Sequence, residues 1–135
     1  MRITGDYAPT KWDEHPYQLV GESMKLTKAA VELEFRGDIA GAAFVEYLMF
    51  YSSFDAEDMH KSTARYVGLM RIVGTVKGRT GSFVLSDNGT FESGVATSKI
   101  EIIPHSGTGE LTNISGSGTY SADKSGSTWE MDIDL

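Results

Sequence analysis

The chain contains no cysteine. Disulfide staples, thiolate metal sites and cysteine nucleophiles are therefore excluded. Proline is scarce, three residues in 135, so breaks between elements fall mostly to the 15 glycines. Positive charge is also in short supply: 12 Lys and Arg stand against 19 Asp and Glu, a net charge of −7. Such a surface repels polyanions, and no basic cluster interleaves with aromatics, so neither nucleic acid nor an anionic membrane is expected as a partner. No apolar run is long enough to span a bilayer. The opening MRITGDYAPTKWDEHPYQ is polar and lacks the apolar core of a signal peptide, so the expected location is cytoplasmic. Amphipathic helical periodicity is missing as well.

What is present is alternation. In Lys25 to Arg36, Val31, Leu33 and Phe35 point one way while Glu32, Glu34 and Arg36 point the other, the period of a half-buried strand. Trp129, Met131, Ile133 and Leu135 alternate in the same way with Thr128, Glu130, Asp132 and Asp134. Arg65 to Lys77 reads as a strand in which Gly68 and Gly74 mark places where a Cβ would crowd a neighbour or where the strand bends. Ile39 to Tyr51 is apolar on both faces, which predicts a strand covered on both sides. Met1 to Tyr7 reads as a short first strand. Ala8 to Gly21 reads as irregular, because Pro9 and Pro16 interrupt ladders and Trp12 serves as an anchor. Ser52 to Ser62 is polar, a loop or one helical turn.

Asp87-Asn88-Gly89 lies between apolar runs. Asn-Gly there predicts a type I′ hairpin turn, joining strands at Gly78 to Ser86 and Thr90 to Ile103. Glu110 to Ser121 and Thr128 to Leu135 form a last pair, turning through Asp123 to Ser127. About seven or eight antiparallel strands result, with no helix to cover a sheet face. Closure into a single small antiparallel β-barrel over residues 1–135 removes the exposed face and both edges; a β-sandwich is the alternative. The expected fold class is all-β.

The words Tyr66-Val67-Gly68-Leu69, Gly74-Thr75-Val76-Lys77-Gly78-Arg79-Thr80-Gly81-Ser82-Phe83-Val84-Leu85, Gly89-Thr90-Phe91 and Ser106-Gly107-Thr108-Gly109-Glu110-Leu111 resemble those of a family. It is the 3224 family of domains of unknown function, small bacterial proteins. The resemblance runs from about Lys25 to the C-terminus and implies a barrel similar to that of allene oxide cyclase. Where the family usually carries a glycine ahead of SGTGEL, this chain has His105. The resemblance implies no activity. An isomerase or cyclase role would rest on fold analogy.

Six residues are candidates for binding. Glu46 stands in an apolar strand, where a buried carboxylate is either a functional group with a raised pKa or the partner of an arginine. Arg71 is suited to grip a carboxylate or to balance Glu46. Tyr47, Tyr51 and Tyr66 are suited to line a cavity and donate to a ligand. Glu110 closes the glycine-rich SGTGEL word. His15, His60 and His105 share no spacing that gathers imidazoles, so no metal is expected, and no cofactor is implied. Catalytic residues are not identifiable.

Two functions stand open. One is a barrel that binds a small, largely apolar molecule; the other is a packed barrel acting through its surface as a structural or interaction protein. Phe35, Phe83, Phe91 and Trp129 favour a full interior, whereas Ala43, Gly68, Gly74 and Gly94 leave space. One of the two apolar faces of Ile39 to Tyr51 needs a cover beyond the barrel core. The Ala8 to Gly21 segment is one candidate; a second subunit, hence a homo-oligomer that Leu48→Asp or Phe50→Asp should dissociate, is the expectation.

Overall fold

A computed structural model describes residues 1–135. It has nine strands and one turn of 3-10 helix, Met59–Lys61, and no α-helix. The strands are β1 (Arg2–Leu19), β2 (Lys25–Gly37), β3 (Ile39–Ser53), β4 (Thr63–Val76), β5 (Arg79–Glu92), β6 (Val95–Ile102), β7 (Thr108–Gly109), β8 (Ser115–Asp123) and β9 (Gly126–Asp134). All pairings are antiparallel, in the order β4-β3-β2-β1-β9-β8-β6-β5, and β5 pairs back onto β4. Hydrogen bonds thus run in a ring, and the two-residue β7 adds to β5 beside it. No helix is long and apolar enough to cross a membrane.

Alternation drives the closure. Val31, Leu33 and Phe35 of β2, and Trp129, Met131 and Ile133 of β9, are all buried inside the ring. At one end the interior is solid, filled by Ile3, Phe35, Ile72, Phe83, Leu85 and Trp129. At the other it is lined by tyrosines, as described below.

Two readings of the sequence need correction. The first concerns Ala8 to Gly21, which is not irregular: β1 continues to Leu19 and pairs with β2 throughout, with register shifts at Pro9/Lys11 and Pro16/Gln18. Its pairing with β9 ends at Gly5, so beyond that point its other edge is free. A free edge and a bulge are where proline is tolerated in a sheet.

The second concerns Asn88-Gly89, which is not a turn. β5 runs straight through it, and the β5–β6 turn is Ser93-Gly94, with φ of 53° and 78°. Lys77-Gly78 makes the equivalent turn between β4 and β5, with φ of 50° and 83°. Gly94 therefore serves a turn and leaves no space in the interior. Gly89 is a glycine for a different reason. It pairs with Tyr66 on one side and Ser98 on the other. A Cβ there would come within 2.6 Å of both side-chain oxygens, which bond to each other across it.

Candidate functional site

The tyrosine-lined end of the ring holds a cavity of about 310 Å³. Seven strands supply its walls. Tyr7 and Glu14 come from β1, Leu33 from β2, Tyr47, Met49 and Tyr51 from β3. Ala64 and Tyr66 come from β4, Asp87 and Phe91 from β5, Ala96 from β6 and Tyr120 from β8. Most of this surface is apolar, and Tyr7, Tyr47, Tyr51 and Trp12 direct their donors to two carboxylates.

Asp87 is the inner one, only 1% exposed. In register, Tyr47 of β3, Gly68 of β4 and Asp87 of β5 stand side by side. Because Gly68 has no side chain, the Tyr47 ring lies over it, and its hydroxyl donates to Asp87 Oδ2 at 2.7 Å. A Cβ on Gly68 would stand 2.8 Å from Tyr47 Cδ1. Tyr7 donates more weakly to the same oxygen, at 3.4 Å. Oδ1 has no hydrogen-bond partner; the other such buried side-chain atom is Trp129 Nε1.

Burial pushes the Asp87 carboxyl above its ordinary value, and Tyr47, Ser98 and Tyr7 pull partly against it. Ser98 contributes to that pull, although it makes no aligned bond to Oδ1; its hydroxyl bonds Tyr66 at 2.6 Å. Burial also raises the phenols of Tyr7, Tyr47, Tyr51, Tyr66 and Tyr120. The Asp87 charge reinforces the shift at Tyr7 and Tyr47, and hydrogen bonding to Glu14 does so at Tyr51. These hydroxyls therefore stay protonated, as donors and not bases.

Glu14 is the outer carboxylate. Its Oε2 accepts from Thr27 at 2.7 Å and Tyr51 at 2.9 Å, and its Oε1 from Trp12 Nε1 at 2.9 Å. Trp12 is 48% exposed, and its ring stacks on Tyr47 at 6.3 Å. Tyr7 and Tyr120 stack at 4.1 Å, and Tyr47 meets Tyr66 edge-on at 5.3 Å.

Of the six candidate residues, the structure brings Tyr47, Tyr51 and Tyr66 together in the cavity. It places the other three elsewhere. Glu46 projects from the outer face of β3, exposed, with Lys28 Nζ at 3.6 Å. It is not buried because the strand alternates, so an apolar sequence neighbourhood is not an apolar side-chain environment. Arg71 is on the outer face of β4, and its guanidinium donates to Ser82 Oγ at 3.4 Å. Glu110, next to β7, accepts from the Thr80 amide at 3.1 Å on the surface. Asp87, Glu14, Tyr7 and Tyr120 escaped the sequence reading. The signal that could have found Asp87 is two-residue spacing: it shares the inward phase of Phe83, Leu85 and Phe91.

Fold and site define a class: a closed antiparallel β-structure, solid at one end, with a tyrosine-rich cavity around a buried carboxylate at the other. The chain belongs to the family described as Protein of unknown function (DUF3224), whose model matches residues 3–135. It is similar to the crystal structure of a protein with unknown function from the DUF3224 family of Shewanella oneidensis MR-1. The TM-score is 0.76 at 26% identity, over 100% of this chain and 97% of that one. No curated protein matches.

Proposed function

We propose that this protein binds a small, largely apolar molecule in the tyrosine-lined end of its ring. One observation carries the reading: a largely apolar cavity of about 310 Å³ encloses a carboxylate with an unpartnered oxygen. Ligand sites are typically apolar hollows of roughly 300–1,000 Å³ with a few convergent polar groups. A packed interior would have filled this end as it fills the other. An isomerase or cyclase would use the same site, with Asp87, its proton affinity raised by burial, as a group fitted to give or take a proton. The test is native, then denaturing, mass spectrometry of the protein purified from its own host. A reproducible small molecule lost on denaturation is the expected result. An apo mass, together with failure of every member of a fragment library to shift the cavity's tyrosine resonances, would overturn the reading and favour a surface-acting protein.

We also propose that a second copy of this chain covers the outer face of β3 and β4. Phe44, Leu48, Val67, Leu69 and Val73 are exposed there, with Leu48 opposite Val67 and Ala42 opposite Val73. β1 lies in the ring beside β2 and does not cover them. Lys28 and Glu46, 3.6 Å apart beside this row, allow a two-fold copy to exchange the pair between chains.

A further inference from the structure

We propose that the ligand carries a positive charge: a small organic ammonium with an apolar body, its charge lodged among the aromatic rings and facing Asp87 and Glu14. This rests on the binding reading above. Three observations carry it. First, nearly half of the 15 lining residues are Tyr, Trp or Phe, whose ring faces attract cations. Second, both ionisable acids of the lining are carboxylates, and no Lys, Arg or His stands among the 15. A cavity built for a carboxylate or phosphate ligand would need such a base. Third, Asp87 Oδ1 is buried without a partner. A buried carboxylate is costly unless a counter-charge or enough donors meet it; Tyr47 and Tyr7 serve only Oδ2, and no cationic side chain stands among the lining residues.

The phenols sharpen the choice. Tyr47 and Tyr7 already donate to Asp87, and Tyr51 to Glu14. Tyr66 is tied to Ser98. Their hydroxyls are committed, so what they leave for a ligand is mainly ring face. The rim shows the same preference: Lys25 Nζ, outside the lining, sits 3.3 Å from the centroid of Phe54 and 5.4 Å from that of Tyr51. A ligand cation need not touch Oδ1. Both acids line the same cavity of about 310 Å³, so a cation within it stands in Coulomb range of both. The net charge of −7 steers cations toward the protein at long range.

The test is a matched pair of probes, 2-phenylethylammonium and 2-phenylethanol, alike in body and different in charge. Binding is read at neutral pH by the tyrosine ring resonances of the whole protein and by calorimetry. The amine should bind at least about tenfold more tightly than the alcohol. In Asp87→Asn, and in Glu14→Gln as an independent variant, that ratio should fall while the alcohol still binds; an unchanged ratio in both would overturn the inference. Equal affinities in the parent would overturn the cationic inference and leave the binding cavity standing. Failure of both probes would overturn it too; the mass spectrometry above then decides whether the binding reading falls with it.

Discussion

Replacing Ala64 with leucine should make the protein more stable and a poorer binder. Ala64 is 3% exposed and lines the cavity with Tyr51, Tyr66 and Phe91. Leucine adds three carbons to space that is already enclosed. At about 0.8 kcal/mol for each buried CH₂, the gross gain is about 2.4 kcal/mol. Ordering the longer side chain costs about 0.5–1 kcal/mol. The net is about 1.5 kcal/mol, a rise of about 4 °C in Tm for a domain of this length. Urea unfolding and calorimetry measure the stability, and mass spectrometry of host-purified protein measures the occupant. Re-admitting a ligand would force the leucine aside at about 1–3 kcal/mol, about a tenfold loss or more in affinity. A destabilised variant would mean that the hollow is closed in solution. A stabilised variant that keeps its ligand would mean that binding happens elsewhere. Either result refutes the reasoning.

Asp87→Asn tests the buried acid through pH. Its raised carboxyl value means that the folded state holds the proton more tightly than the unfolded chain. That stability is complete below the ordinary carboxylate range and is lost as pH rises through the raised value. Relative to the variant, the parent should therefore gain Tm as pH falls from neutral into the acid range. A flat difference would show Asp87 to be solvated. The exposed Asp38 and Asp123, whose values are lowered mainly by hydrogen bonds, act in the opposite sense but are common to both proteins. Gly68→Ala should displace the Tyr47 ring and break its bond to Asp87, costing about 1–3 kcal/mol in urea unfolding. A crystal structure of the variant with that bond intact would contradict this. Leu48→Asp should convert the sedimenting species to monomer without altering ligand content; a parent that already sediments as a monomer removes the proposed second copy.

Strands such as β2 and β9 are legible because one face meets the core and the other meets water, which writes the period of two into the residue types. β1 is less legible because its second edge is free beyond Gly5, and prolines that would break a paired strand survive there. The tyrosines of β3 and β4 stand out in the sequence as hydroxyls among apolar neighbours. Asp87 does not, because Asn88-Gly89 beside it has the composition of a turn. Only the cross-strand register reveals that Gly89 is small so that Tyr66 and Ser98 can meet over it. Local sequence carries turn propensity; it does not carry which strands lie two places apart around a ring.

Gly68 and Gly89 also restrict how the strands can pair. A strand that slides by one residue inverts its faces, and the hydrophobic pattern rejects it. A slide of two residues keeps every apolar side chain inward and passes that test. In β4, however, it would set Tyr66 or Met70 beneath the Tyr47 ring where Gly68 belongs. In β5 it would set Asp87 or Phe91 between Tyr66 and Ser98 in place of Gly89. The side chains that shape the cavity thus also disfavour the shifted registers, and a chain that altered the site would weaken that discrimination.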